Sequence, residues 1–142
     1  MLKERVLQIT KEMVGIYSPT NTAEEQKVEA YLLQLLQEMP YFKEHPEQCG
    51  AFACADDCFN RSTIYGLVLG KSKKTVVFMG HHDVVSIEVY GALANFATDV
   101  NTLEAKLQSV DLPEEASVDL ASGEWLWGRG ACDMKGCTAA QL

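Results

Sequence analysis

The chain has 142 residues, of which 47% are hydrophobic and 23% are charged, so it is long enough to form one domain with a buried core. Its formal net charge of −8 argues against a nucleic acid or an anionic membrane as the main partner. No apolar run approaches the roughly 20 residues of a membrane-spanning helix, and the N-terminus has no signal-peptide core. With five unevenly spaced cysteines, these features predict a cytoplasmic protein that does not depend on disulfides.

Two amphipathic helices are predicted at the start of the chain, because apolar residues recur there at spacings of three and four. The first helix ends at "SPT", residues 18–20. The second begins at a predicted capping box of Thr22 and Glu25 and ends before Pro40. The two apolar stripes are Leu2, Val6, Ile9, Met13 and Ile16, and then Val28, Leu32, Leu35 and Met39.

The middle of the chain predicts a sheet. Residues 62–69 and 75–81 are short apolar runs joined by the turn "GKSKK", so we expect two antiparallel neighbouring strands. The second run is uniformly apolar, which favours a central and buried strand. A third strand is expected at 124–128, whereas residues 41–60 lack a periodic pattern and predict irregular structure.

Short helices are predicted in the more polar segment between residues 86 and 124. "VNTLEAKLQSV" predicts one helix with Asn101 or Thr102 near its N-terminal cap, and "LPEEASVDLASG" predicts a helical turn that starts at Pro113. "CTAAQL" predicts the beginning of another helix. Helical stripes followed by short apolar runs predict an α/β sandwich.

The first chemical motif is "VVFMGHHDVVS", residues 76–86. Residues i and i+2 of a strand point to the same side, so we expect His81 and Asp83 to share a face and His82 to point away from it. A metal-binding imidazole commonly donates its second N–H to an oxygen acceptor, which Asp83 could supply. Taken alone, such a His-x-Asp pattern is most often structural or incidental.

The second motif is "WGRGACDMKG", in which three glycines surround one carboxylate, Asp133. A carboxylate on such a loop can use both oxygens to bridge two cations. Arg129 and Lys135 are candidates for ion pairs that hold the loop. A glycine-rich loop with one aspartate is usually only a turn, but two such motifs, each expected to follow a strand, are more specific together.

Together, "GHHDVV" and "WGRGACDMKG" resemble the signature pair of the co-catalytic zinc aminoacylase and carboxypeptidase family, approximately G-H-x-D-V-V and G-R-G-x-x-D-M-K-G. Acetylornithine deacetylase, succinyl-diaminopimelate desuccinylase and glutamate carboxypeptidase are members of that family. The long spacer between the motifs is most similar to that of its arginine-utilisation (RocB-like) branch. The resemblance covers nearly the whole chain. It implies that residues 1–142 are an N-terminal fragment of a three-layer α/β/α zinc-peptidase-like catalytic domain, without the family's lid and dimerisation domain.

The resemblance also implies roles for individual residues. His81 would bind one zinc ion, Asp83 would be the catalytic aspartate beside it, and Asp133 would bridge two zinc ions. The zinc ions would activate a water that attacks the amide carbonyl of a small acylated amino acid or peptide. Cys137 stands where the family usually has a glycine.

The general-base glutamate and the later metal ligands of the family would correspond to positions beyond Leu142. We therefore expect the N-terminal portion of a zinc-dependent amidohydrolase, associated with arginine catabolism and inactive by itself. The alternative is a non-catalytic truncated product that acts as a weak metal-binding or interaction module.

A third group of polar residues lies between the predicted second helix and the sheet. The C-x4-C-x3-C spacing of three cysteines is poor for a structural zinc site, so reduced thiols are expected there. The pair Asp56–Asp57 predicts a solvated turn, and His45 beside Pro46 predicts a surface residue. The cysteines are Cys49, Cys54 and Cys58.

Overall fold

A computed structural model describes residues 2–142 of the chain; Met1, the first residue of the predicted domain, lies outside the described residues. The chain is a mixed structure of helices and a two-stranded sheet. In chain order the elements are α1 (Leu2–Gly15), α2 (Glu25–Glu38), α3 (Pro40–Glu44), β1 (Cys49–Ala53), β2 (Ser62–Gly66), α4 (Val100–Leu107), α5 (Glu114–Ser122) and α6 (Gly136–Gln141). A short 3₁₀ helix spans Pro46–Gln48, 3₁₀ turns kinked at Gly91 span Glu88–Phe96, and an irregular turn with non-helical Asp133 and Met134 spans Ala131–Lys135.

The predicted helices are present, but two of their N-termini differ from the expectation. The N-cap of α2 is Glu24, and the predicted capping box is wrong because the Thr22 hydroxyl donates instead to the carbonyl of Pro19, at 2.7 Å. At α4 the cap is Asp99, whose carboxylate accepts the backbone N–H of Thr102 at 3.1 Å. A carboxylate is a preferred N-cap acceptor, and it places the cap before Asn101 and Thr102.

The sheet differs more strongly from the prediction. β2 confirms the strand expected from residue 62, but it pairs with β1, antiparallel, with Cys49 opposite Gly66 and Ala53 opposite Ser62. The expectation of irregular structure throughout 41–60 is therefore wrong. The sequence "CGAFA" gives little alternating signal, and its strand is supported by tertiary contacts such as the stacking of Phe52 on Tyr65 at 4.6 Å.

Residues 75–80 and 124–127 form no strand, so the predicted buried central strand and the third strand are wrong for this structure. Val76, Val77, Phe78 and Met79 are 70–81% exposed. A strand needs a hydrogen-bonding neighbour, and among the described residues none pairs with either segment. The three-layer arrangement implied by the resemblance is consequently not observed.

The hydrophobic core lies between the helices rather than on a sheet. Ile9 and Met13 of α1 pack on α2 and on Ala139 of α6, and a second cluster joins α2 to α3 and β1. Cys49 belongs to this second cluster, whereas Cys54 and Cys58 are exposed, and all three are free thiols. None of the helices within residues 2–142 is long and apolar enough to cross a membrane.

The turn between the two strands is tied to α2 by an arginine. Arg61 contacts Asp57 at 2.6 Å and the buried Glu25 at 2.9 Å. The hydrogen bonds from Arg61 lower the pKa of the Asp57 carboxyl to about 2. Asp57 is thus not the solvated turn residue that the sequence predicted, since its charge neutralises an arginine that also reaches a buried glutamate.

We expect Met13→Ala to lower the free energy of unfolding by about 2–5 kcal/mol, because the side chain of Met13 is fully buried in the α1–α2–α6 core. Leu7→Ala is the matched control on the same helix, since Leu7 is 41% exposed. Urea denaturation of both variants measures the difference. Equal losses of stability in the two variants would contradict this description of the core.

Candidate functional site

The segment that carries His81 and Asp83 is held by the turn after α1. The hydroxyl of Ser18 donates to the carbonyl of His82 at 2.7 Å, and the N–H of Val84 donates to the carbonyl of Ser18 at 2.8 Å. The N–H of Thr20 then donates to the carbonyl of Val84 at 3.0 Å, which completes a short parallel bridge. These bonds fix the backbone of the histidine motif although it is not part of a strand.

The imidazole of His81 lies between two carboxylates. Its Nε2 is 2.9 Å from Oδ1 of Asp133, and its Nδ1 is 3.1 Å from Oδ1 of Asp83. The second oxygen of Asp83 accepts the hydroxyl of Thr20 at 2.6 Å. The three residues singled out from the sequence thus meet in space, in the order Asp133, His81, Asp83, with Thr20 behind Asp83.

The contacts within the cluster change the pKa of His81 and that of Asp83. Partial burial of His81 opposes its charged form, but the hydrogen bond to Asp133 and the charge of Asp83 outweigh it and raise the pKa of His81. Burial likewise opposes the charge of Asp83, but the Thr20 hydrogen bond and the charge of His81 lower the pKa of Asp83. A metal ion at Nε2 of His81 would therefore have to displace a proton that these carboxylates favour.

His82 lies on the other side of the segment, where the sequence placed it. Its Nε2 is 3.6 Å from Glu29 and 3.8 Å from Glu25, both on α2. Both glutamates are buried, and neither Nε2 of His82 nor Oε1 of Glu29 has a hydrogen-bond partner among the described residues. The alternation of side chains therefore separates His82 from Asp133.

The glycines of the second motif permit close packing around Asp133. A Cβ atom on Gly128 would lie 2.7 Å from Val14, and one on Gly130 would lie 2.4 Å from Val84. Gly130 also has a φ of +80°, which L-residues rarely adopt. The peptide bond that follows Asp133 is cis. The loop is thereby pressed against both α1 and the segment that carries the histidine motif.

The two cations of this motif do not form the ion pairs that the sequence predicted. Lys135 is fully buried, and its Nζ donates to the carbonyls of Met13 at 2.9 Å and Ile16 at 2.6 Å, at the end of α1. Desolvation by burial lowers its pKa to about 8, against an opposing effect of the charge of Asp83. Arg129 lies over the ring of Tyr90 at 4.9 Å, and none of the ion pairs within residues 2–142 involves it.

A cavity of about 210 Å³ opens beside His81. The sequence did not identify Thr20 as part of this site, because "SPT" indicated only the end of α1. A hydroxyl next to a helix-ending proline gives no signal of contact with a residue more than sixty positions away. The cavity is lined in part by Thr20, His81, Asp83, Arg129, Cys132 and Asp133.

The donor atoms fit two ligand positions of a zinc site but not a complete one. His81 and Asp133 present a nitrogen and an oxygen next to each other, and these are ligands that zinc accepts. A catalytic zinc ion usually has three protein ligands. In the part of the chain that the structure describes, no group of three or more His, Cys, Asp and Glu side chains is arranged to hold a metal ion.

These features define a mixed α/β chain with a histidine–aspartate cluster beside a small cavity, and comparison with known proteins points to more specific relatives. The chain is 30% identical over 141 residues to protein RocB of Bacillus subtilis (strain 168), covering 98% of this chain and 25% of RocB. It is 36% identical over 143 residues to the uncharacterized protein YqjN of the same organism, covering 99% of this chain and 26% of YqjN. The chain thus matches part of a RocB-like protein and spans about a quarter of these curated relatives. No family model and no solved structure matches it.

We expect Gly130→Ala to lower the free energy of unfolding by about 1–3 kcal/mol more than Gly123→Ala, because a Cβ at Gly130 would overlap the buried Val84. Gly123 is a matched control, since its φ of +68° imposes a similar backbone strain but nothing lies within 4 Å of its added Cβ. Thermal or urea denaturation measures the difference. Equal destabilisation would show that backbone conformation, and not contact with Val84, requires the glycine.

We expect Lys135→Met to destabilise the chain by about 1–3 kcal/mol at pH 7, because it leaves two carbonyls of α1 without their charged donor. The stability difference from the wild type should grow between pH 8 and pH 10.5. In that range folded Lys135 has lost its proton while the unfolded chain still binds one, so wild-type stability gains with rising pH.

Urea denaturation at pH 7 and pH 10 tests this prediction, with Lys73→Met in the exposed turn as the control. A stability difference that is independent of pH would contradict the lowered pKa of Lys135.

Proposed function

We propose that this chain is the N-terminal part of the catalytic domain of a zinc-dependent amidohydrolase, which cleaves amide bonds of small acylated amino acids or peptides. One observation carries the proposal. The 2.9 Å contact between His81 and Asp133 joins two motifs that are 52 residues apart in the chain. The similarity to RocB and the two signature-like motifs support the same assignment.

In this proposal each residue has a distinct task. His81 would provide a metal ligand through Nε2, and the backbone carbonyl of Asp83, 3.1 Å from Nδ1, fixes the orientation of the ring. Asp133, whose side chain is largely exposed, would hold the zinc ions together with His81. When bound, the zinc ions would lower the pKa of a water and polarise the amide carbonyl. Asp83 is then the catalytic aspartate beside the metals.

No group of three or more His, Cys, Asp and Glu side chains within residues 2–142 could hold a metal ion, so in this proposal the remaining ligands and the general base are supplied by other residues. A positioned proton transfer contributes about 10²–10⁴-fold to a rate, so the chain by itself should be close to inactive. The similarity of the motif spacer to the arginine-utilisation branch supports a place in arginine catabolism. The five free cysteines support a cytoplasmic location, and both statements are part of the same proposal.

A second candidate function is a weak metal-binding or interaction module without catalysis. The incomplete donor set favours it, and so does the exposed apolar segment Val76–Met79. The two candidates differ in whether the His81–Asp133 pair participates in hydrolysis once a complete ligand set is present.

We expect the chain to bind Zn²⁺ weakly and with a dependence on both motifs. His81→Ala and Asp133→Ala should each weaken binding at least about tenfold, as losses at metal sites do. His45→Ala should leave binding unchanged, because His45 packs on Tyr41 and not on the cluster. Isothermal titration of the purified variants with Zn²⁺ gives the affinities. Binding that survives both cluster substitutions would refute the assignment of His81 and Asp133 as ligands.

We also expect the isolated chain to hydrolyse N-acetyl amino acids at the background rate. The chain offers at most two ligands toward a site for two metals, and no general base is assigned within it. The measurement is release of the free amine in the presence of Zn²⁺. Turnover that both His81→Ala and Asp133→Ala abolish would show that the site is complete and that a ligand has been overlooked.

A further inference from the structure

Arg129 is the cationic residue among those that line the cavity beside His81, Asp83 and Asp133. The zinc chemistry proposed above does not use it. Its Nε is buried and has no hydrogen-bond partner among the described residues. Buried polar groups are nearly always hydrogen-bonded, so an unpartnered guanidinium N–H next to a cavity suggests that a ligand supplies the acceptor.

A comparison with Arg61 shows that Arg129 lacks carboxylate partners. Arg61 is held by Asp57 at 2.6 Å and by Glu25 at 2.9 Å. Arg129 instead has the ring of Tyr90 at 4.9 Å from its guanidinium carbon. Stacking on an aromatic ring holds a guanidinium group while leaving the donors at its edge available.

Each of the two carboxylates of the cavity contacts His81. Asp83 accepts the hydroxyl of Thr20 and faces Nδ1 of His81, and Asp133 faces Nε2 of the same ring. Neither of them forms an ion pair with Arg129. In an acidic chain with a net charge of −8, an arginine without a carboxylate partner is therefore available for an external anion.

The backbone fixes the position of Arg129 before any ligand arrives. Its N–H donates to the carbonyl of Ala97 at 2.7 Å. Gly128 and Gly130 on either side lie so close to Val14 and Val84 that a Cβ atom on either would not fit. A group that is held in place in this way loses little freedom when it binds.

From these observations we infer that Arg129 binds the carboxylate of the ligand that occupies this cavity. The planar guanidinium fork matches a carboxylate in two-point geometry. The inference rests on the proposed function in one respect. The proposed function identifies the ligand as an acylated amino acid, and the inference requires that this ligand has a free carboxylate. The amide of that ligand then lies toward His81 and Asp133, on the other side of the cavity.

The test uses the whole chain and a matched pair of probes, N-acetylglycine and the uncharged N-acetylglycinamide. The Nε–H signal of Arg129 is followed by nitrogen-15 NMR as each probe is added. We expect N-acetylglycine to produce a saturable shift of the Arg129 signal and the amide to produce none. The Nε–H signal of Arg61 is the internal control and should not move, because Asp57 already accepts from that nitrogen.

Two variants add a second measurement, with the backbone N–H signals of Val84 and Gly130 as the readout. We expect Arg129→Gln to weaken binding of N-acetylglycine at least about tenfold, because it loses the charge. Arg129→Lys should retain part of the affinity, because it keeps the charge and loses the fork. If either variant fails to fold, the wild-type Arg129 signal still decides the question.

A wild-type Arg129 signal that does not respond to N-acetylglycine overturns the inference. Equal shifts with both probes, or equal shifts of Arg61 and Arg129, also overturn it. The proposed function is tested by a different experiment. It is contradicted if Zn²⁺ binding does not depend on His81 and Asp133. A carboxylate-dependent shift without such zinc binding would support the role of Arg129 and reject the metallohydrolase.

Discussion

The buried ammonium group of Lys135 connects the parts of the molecule on which the candidate site depends. It donates to two carbonyls at the end of α1, Met13 and Ile16, and so fixes the loop that carries Asp133 against that helix. The turn that follows α1 is also hydrogen-bonded to the segment that carries His81, through Ser18 and Val84. One helix end therefore positions both motifs. Burial makes this arrangement costly for the charge, which the lowered pKa of Lys135 reflects.

The cluster beside this helix end is organised by complementary charge. The imidazole of His81 lies between two carboxylates and is stabilised in its protonated form, and its charge in turn lowers the pKa of Asp83. A cation at the imidazole would have to compete with the proton that this arrangement favours. Thr20 limits the freedom of Asp83 through a 2.6 Å hydrogen bond, so the geometry of the cluster is defined.

Burial is uneven along this chain. The α1–α2–α6 core is well packed, whereas the apolar run Val76–Met79 is exposed on an extended segment. Such a run has the composition of a buried strand and lacks a neighbour to pair with among the described residues.

The sequence by itself determined the features that depend on local periodicity and on residue chemistry. It determined the amphipathic helices α1 and α2, the approximate positions of α4, α5 and α6, the start of β2, and the sides to which His81 and His82 point. Only the tertiary structure decided which segments pair as strands, because pairing depends on a partner that is distant in the chain, and β1 carries almost no periodic signal. The same reason applies to the roles of Thr20, Lys135 and Arg129. A hydroxyl beside a proline and two cations in a glycine-rich loop have many local uses, and their actual contacts with Asp83, the end of α1 and Tyr90 arise only when distant segments pack together.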